Sequence, residues 1–285
     1  MIAPELAGRL GLHRAGREWR GACPVCGYPA AFALADGRNG RPVAWCANCQ
    51  DRHGIAAILV GAEGALPRSA AALPGEDRAA ATGRRTERAK VLWAGAGPVP
   101  GSIAETYLRS RRIGHVAASP ALRFRADTPH PAGGRLPALL ARIDGSGGEM
   151  MALHRTYLRR DGGGKADVEP ARASLGLVRG GAVRLDPAAP ELVVGEGIES
   201  AAAAGRLTGL PCWAAVSAGN LAGSMLLPPG VRSVVIAVDR DAPGERAARE
   251  AAWRWQREGR RVRLMVPDRA GADMADVLME RRHAT

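Results

Sequence analysis

The chain has 285 residues, 46% of them hydrophobic and 24% charged, with 40 Lys+Arg against 28 Asp+Glu for a formal charge of +12. That length allows two domains or three small ones, and the composition excludes a disordered or fibrous protein. No apolar run reaches the roughly 18 residues of a membrane helix, and so basic a chain expects a polyanion, most often nucleic acid.

The start Met1-Ile2-Ala3-Pro4-Glu5 lacks a basic n-region before an apolar h-region, so it does not read as a signal peptide, and a cytoplasmic location is expected. Four of the five cysteines form two pairs, and Cys212 stands alone. Cys23-Pro-Val-Cys26 and Cys46-Ala-Asn-Cys49 have the spacing C-x2-C-x19-C-x2-C. Two such knuckles, joined by a hairpin, bring four thiolates to one tetrahedral Zn²⁺ with no position left for catalysis. A module this small is expected to fold with its metal. Trp19, Phe32 and Trp45 supply either its core or a stacking face for bases. Short helices are expected from Pro4 to Leu12 and from Arg52 to Val60.

Residues 61–85 mix Ala, Arg, Gly and Pro with little periodicity and read as a linker. Helical patterns resume at Glu87–Ala94 and Ile103–Arg112, where Ser102 and Glu105 stand at capping-box spacing. Short strands follow from Leu122 to Leu185, with Leu136–Ile143 and Glu149–Tyr157 bracketing a turn at 144–148. Lys165 follows three glycines, but the string is no Walker A loop, because the upstream Gly and the following Ser/Thr are missing. It reads as a basic tip for template or triphosphate, or as a solvated turn. Of His154 and Arg155, strand alternation directs one toward a groove, with Arg155 preferred. Arg109, at a helix end with Arg111 and Arg112, suits either DNA or the helix dipole.

From Glu191 strands and helices alternate: strands at 191–195, 212–216, 233–238 and 261–266, helices at 198–207, 219–226, 243–258 and 273–282. This β-α repeat predicts a mostly parallel sheet with helices on both faces. Two strands end in carboxylates, Glu196 after Val193-Val194-Gly195 and, 43 residues later, Asp239 and Asp241 after Val238. Side by side they bring three acids to the sheet edge where open α/β sheets place ligands. Such acids repel one another unless a cation lies between them, and Mg²⁺ takes few protein oxygens and the rest from water and phosphate. A magnesium-dependent site for phosphate chemistry is therefore expected. Gly195 and Gly197 would let backbone approach phosphate, and Asp241 before Ala242-Pro243 also suits a helix N-cap. At the turn 217–220, either Asn220 contacts nucleotide or Ser217 caps the helix. At least one of Trp253 and Trp255 is expected to be buried.

Val193-Val194-Gly195-Glu196-Gly197, Ser217-Ala218-Gly219-Asn220, Val238-Asp239-Arg240-Asp241-Ala242-Pro243-Gly244 and Gly271-Ala272-Asp273-Met274-Ala275-Asp276 resemble, in order, the motifs of a Toprim domain. With the cysteine pairs, and with Glu105–Arg109, Leu153–Tyr157 and Lys165 in a softer match to a middle domain, the chain resembles phage- and plasmid-type primases. That resemblance implies a multi-domain α/β protein: zinc ribbon 1–60, linker 61–85, middle α+β domain 86–188 and Toprim catalytic domain 189–285. It implies catalytic Mg²⁺ or Mn²⁺ on Glu196, Asp239, Asp241 and Asp273, with Glu196 a third ligand or a general acid/base. It also implies Lys165, Arg155, Asn220 and Arg109 as nucleotide or DNA contacts. The activity implied is synthesis of short RNA primers from NTPs on single-stranded DNA, with a separate replicative helicase as partner and no membrane. Ala272 and Ala275 depart from the family, which often has polar groups there. A Toprim-type nuclease and a non-catalytic zinc-dependent nucleic-acid binder are the alternatives.

Overall fold

A computed structural model describes residues 3–16, 18–25, 32–37, 42–46, 55–56, 58–59 and 75–280. The chain divides into two compact units, Met1–Gly83 and Arg84–Thr285.

In the first unit, helix α1 (Ala3–Arg9) precedes four antiparallel strands in sequential order: β1 (His13–Ala15), β2 (Glu18–Gly21), β3 (Phe32–Asp36) and β4 (Pro42–Cys46). Leu6, Trp19, Phe32, Leu34, Cys23 and Cys46 share one small core. Trp19 and Phe32 are thus core residues, while Trp45 is only half-buried. Gly21 pairs with Phe32 and Phe32 with Cys46, so Cys23 and Cys46 lie toward one end of the sheet. Cys26 and Cys49 fall outside the described residues. Within the helix expected at 52–60, residues 55–56 and 58–59 are helical.

Helix α2 (Gly75–Ala94) begins within the stretch expected as a linker. Residues 61–74 lie outside the described set. In the second unit, α3 (Ile103–Ser110) is capped by Ser102, whose side chain accepts from the Ala104 N–H at 3.2 Å. Glu105 reaches back, as its spacing predicts, but to the N–H of Gly101 at 2.8 Å. A four-stranded antiparallel sheet follows: β5 (Leu122–Pro129), β6 (Arg135–Asp144), β7 (Met150–Tyr157) and β8 (Arg172–Gly176).

The last sheet has five strands. They are β9 (Val183–Arg184), β10 (Glu191–Gly195), β11 (Cys212–Ala214), β12 (Ser233–Ala237) and β13 (Arg261–Met265), in the order β13-β12-β10-β11-β9. All pairings are parallel except that of β9. Helices α4 (Ile198–Thr208) and α7 (Met274–Glu280) share a core with one face, while α5 (Ala218–Gly223) and α6 (Ala242–Arg257) cover the other. The β-α reading from Glu191 onward therefore matches the structure to within one to three residues at each end.

Ala201, Ala202, Ala203 and Ala204 of α4 are all fully buried. A Cβ on Gly195 would lie 2.7 Å from the Ala201 amide nitrogen. Gly195 therefore serves the close packing of α4 on β10. Among the described residues, no helix is long and apolar enough to cross a membrane.

Candidate active site

β10 and β12 are neighbours in register, with Gly195 opposite Ala237. Glu196 is one residue beyond the first strand and Asp239 two beyond the second, so both acids stand at the carboxyl edge of the sheet. Their charges sense each other: burial, then the Asp239 charge, raises the Glu196 carboxyl to about 7, against the pull of Arg172. Asp239 is raised to about 6, first by burial, with a hydrogen bond from Ser200 opposing and the charges of Asp273 and Asp241 adding to it.

Two devices hold these acids. The loop after β11 wraps Glu196: the Val216 N–H donates to the Glu196 carbonyl at 2.7 Å and the Ala218 N–H to its carboxylate. Val216 adopts φ 61, a left-handed conformation that costs a β-branched residue free energy and that clusters at functional sites. On the other side, Ser200 of α4 donates to Asp239 Oδ1 at 2.9 Å and accepts from the Met274 N–H at 3.4 Å, tying Asp239 to the start of α7. Gly244 lets the first turn of α6 close in, since a Cβ there would meet the Asp239 carbonyl oxygen at 2.4 Å.

The remaining acids are less free than their spacing suggests. Asp241 caps α6, its Oδ1 accepting from the Gly244 N–H at 2.7 Å. Asp273 and Asp276 cap reciprocally, each carboxylate accepting from the other's N–H, at 2.9 and 3.1 Å. Among the described residues no three of His, Cys, Asp and Glu gather closely enough to enclose a metal. Glu196 and Asp239 thus stand as a half-buried pair at the sheet edge, flanked by the helix caps Asp241 and Asp273, and the Asp241 charge still reaches Glu196. Such a pair fits Mg²⁺, which binds through one or two carboxylates and completes its shell with water and phosphate.

Several basic and polar candidates are placed differently from the expectation. Arg155 is buried, donating to the carbonyls of Pro129 on β5 at 3.1 Å and Ala173 on β8 at 3.4 Å, so it ties strands of its own sheet together instead of facing a groove. Asn220 is buried with both amide N–H groups donated, to Gly181 and Ala215 at 2.9 Å, while its oxygen accepts from Gly180. A nucleotide would find no donor on it, and Ser217 caps α5 as the other reading held. His154 is buried against Ser174 Oγ at 3.0 Å, and burial and the charge of Arg172 push it down to about 3. Arg109 is exposed and pairs with Glu105 at 2.7 Å. Of the two tryptophans in α6, Trp255 is buried and Trp253 exposed.

Lys165 is neither a loose tip nor a solvated turn. Its ammonium lies 2.8 Å from Glu199, a buried residue in the first turn of α4. Tyr107 of α3 donates to the same carboxylate at 2.6 Å. Burial alone would raise Glu199, but the charges of Lys165 and Arg172, with the two hydrogen bonds, hold it well below the ordinary range.

Glu199 and Arg172 were missed as site residues. Arg172, on β8, is exposed at its backbone position on the strand, and its charge acts on Glu196, Asp239 and Glu199 alike. Its Nη1 lies 3.9 Å from where a Gly197 side chain would begin. Among the described residues its guanidinium makes no hydrogen bond, which leaves it open to an anion. No motif marks Arg172; only the pairing of β7 with β8 and the docking of that sheet on the second reveal it.

The two raised carboxylates carry a pH dependence. Their ordinary values are 4.5 and 3.8, their folded values about 7 and about 6. Between these limits the folded, metal-free chain keeps protons that the unfolded chain has released, so stability is full below about pH 4 and falls as pH rises through 6 and 7. Without divalent metal the thermal midpoint is expected to be lower at pH 8 than at pH 5.5, by a free energy of a few kcal/mol. Mg²⁺ is expected to recover more of it at pH 8. Differential scanning fluorimetry with and without Mg²⁺ checks this; equal midpoints at both pH values would contradict the raised carboxylates.

Comparison with known proteins places two family models on the second unit. One, described as a Toprim domain, matches residues 191–284, and one described as a domain of unknown function, DUF7146, matches residues 83–185. No curated protein matches the chain. Among solved structures, the zinc-binding and RNA polymerase domains of the Aquifex aeolicus primase align at 14% identity, with TM-score 0.46, covering 96% of this chain and 79% of that one. The primase fragment of the bacteriophage T7 primase-helicase protein aligns at 12% identity and TM-score 0.45, covering 94% and 96%. The RNA polymerase domain of Mycobacterium tuberculosis primase DnaG aligns at 17% identity and TM-score 0.43, covering 70% and 79%.

Proposed function

We propose that this chain, whose residues 191–284 form a Toprim domain, is a primase-type nucleotidyltransferase that links ribonucleotides on a single-stranded DNA template. The observation that carries the reading is the half-buried pair Glu196 and Asp239 at the carboxyl edge of a parallel sheet, within reach of the open cation Arg172. Two acids raised by desolvation and by neighbouring carboxylates suit a divalent cation, and a guanidinium beside them suits the phosphates that complete its shell.

Joining two nucleotides requires a 3′-hydroxyl to attack an α-phosphorus as pyrophosphate leaves. Bound Mg²⁺ or Mn²⁺ supplies the charge that lowers the hydroxyl pKa and stabilises the leaving oxygens. Asp239 and Glu196 would be its principal holders, with Asp241 and Asp273 close enough in charge to add to the field. Without the metal the Glu196 carboxyl is raised to about 7, so near neutral pH a bound cation would displace its proton. Ser200 and the Val216 loop fix the two acids, and Arg172 orients triphosphate. Lys165 does not contact substrate freely; it neutralises Glu199 beneath the site.

In the N-terminal unit, Cys23, Cys26, Cys46 and Cys49 would hold one structural Zn²⁺, positioning template. Cys23 and Cys46 are both buried toward one end of its sheet, as two of four such ligands require. Metal analysis of purified protein is expected to return one zinc per chain; none would remove the zinc module. The domain limits proposed are 1–60, 61–85, 86–188 and 189–285, and a separate helicase would supply unwinding.

The function is tested with purified protein, single-stranded DNA templates of varied sequence, NTPs and Mg²⁺ or Mn²⁺. Short RNA products are expected. Template degradation would assign a nuclease, and binding without chemistry would leave a nucleic-acid adaptor.

A further inference from the structure

Helix α6 has an outer surface unrelated to the acid edge. Arg246, Arg249, Glu250, Trp253 and Arg257 recur at spacings of three and four, so they share one face, and all are exposed. Trp253 keeps 61% of its surface accessible, while four of the chain's six tryptophans, Trp19, Trp93, Trp213 and Trp255, are buried and Trp45 is half-buried. Two residues further on, Trp255 already fills the core beneath this helix, so Trp253 adds nothing to packing there. The Arg257 guanidinium lies over its ring, 4.7 Å from the centroid.

The charge on this face is unbalanced. Arg249 is offset by Glu245 at 3.3 Å, but among the described residues Arg246 and Arg257 form no ion pair. They stand eleven positions apart, roughly 16 Å along the helix axis, with the indole between them. An exposed aromatic ring between cations is the surface on which an unpaired base stacks while its flanking phosphates are neutralised. A protein partner's docking site would instead surround the tryptophan with apolar neighbours, and this face is arginine and glutamate.

We propose that the outer face of α6 is a second binding site for single-stranded nucleic acid, with Trp253 stacking on a base and Arg246 and Arg257 holding the adjoining phosphates. The site needs neither the carboxylates nor a metal, so it stands whether or not the chain makes primers.

The test is fluorescence anisotropy of fluorescein-labelled oligo(dT) with the full chain, without Mg²⁺ or NTPs, at several salt concentrations. Trp253→Ala is expected to weaken binding about ten-fold, and Trp253→Phe to keep most of it. Arg246→Ala/Arg257→Ala is expected to reduce the slope of log affinity against log salt by about 0.7 for each phosphate that is no longer neutralised. Arg135→Ala, an exposed arginine on β6 paired with Asp127, should bind like the parent, which separates the α6 face from a general effect of surface charge. Unchanged affinity in Trp253→Ala and the double arginine variant would overturn the proposal. A lowered thermal midpoint at unchanged affinity would reduce the Arg257–Trp253 pair to a helix-stabilising contact. Loss of self-association in sedimentation, with affinity retained, would give the face to a second copy of the chain.

Discussion

Asp239→Asn is expected to cut primer synthesis by about a thousand-fold or more while leaving the fold intact. The size follows from removing a ligand charge from a metal-assisted transfer, an effect of several kcal/mol at roughly 1.4 kcal/mol per decade. The fold should survive because the amide occupies the same volume and its oxygen still accepts from Ser200. It also removes a half-buried charge that repels Glu196, so the metal-free variant should melt slightly above the parent at pH 8. Lost activity with retained or raised stability is a pattern that misfolding does not give. Asp241→Asn supplies the contrast, since asparagine caps a helix about as well as aspartate. It should lose less activity and almost no stability. If Asp239→Asn kept activity within ten-fold, the chemistry would have to lie elsewhere.

Lys165→Met is expected to destabilise the second unit by about 3 kcal/mol, because it strands a buried carboxylate. Glu199 is 7% exposed, and Tyr107 would remain as its direct hydrogen-bond donor. Lys165→Met/Glu199→Gln should restore most of the loss, since replacing both charges removes the desolvation cost along with the attraction. Tyr107→Phe should cost about 1.5–3 kcal/mol, as for a hydrogen bond to a charged group. Chemical denaturation of the three variants checks this. Additive losses in the double variant would refute the pairing and return Lys165 to the solvent-facing role its glycines suggested.

The β-α part of the fold was legible from sequence because each strand there is a short apolar run closed by small residues, and each helix begins at a cap. Glu196 and Asp239 were legible for the same reason: each ends a predicted strand, and parallel neighbours share an edge. Asp241 and Asp273 carry two readings. A carboxylate at a strand-to-helix turn serves a cap or a cation equally well in sequence, and here both accept backbone N–H groups. Arg155 and Asn220 were misplaced because alternation fixes a face only when one face is wet; residues 152–157 of β7 are buried on both. Arg172 and Glu199 were missed because their meeting is tertiary. Glu199 lies 34 residues from Lys165 and 92 from Tyr107, and nothing local announces either contact.

The four consecutive alanines of α4 have a consequence for how this protein can vary. They and Gly195 set the helix down on the sheet so closely that a side chain at 195 would meet the Ala201 backbone. Ser200, which grips Asp239, rides on that same helix. The gap between the two acids is therefore gauged by methyl groups that touch no reactant. Lengthening one of them, as in Ala201→Val, would lift the serine away from its carboxylate and detune the edge from behind, which makes this lining as intolerant of drift as the acids themselves.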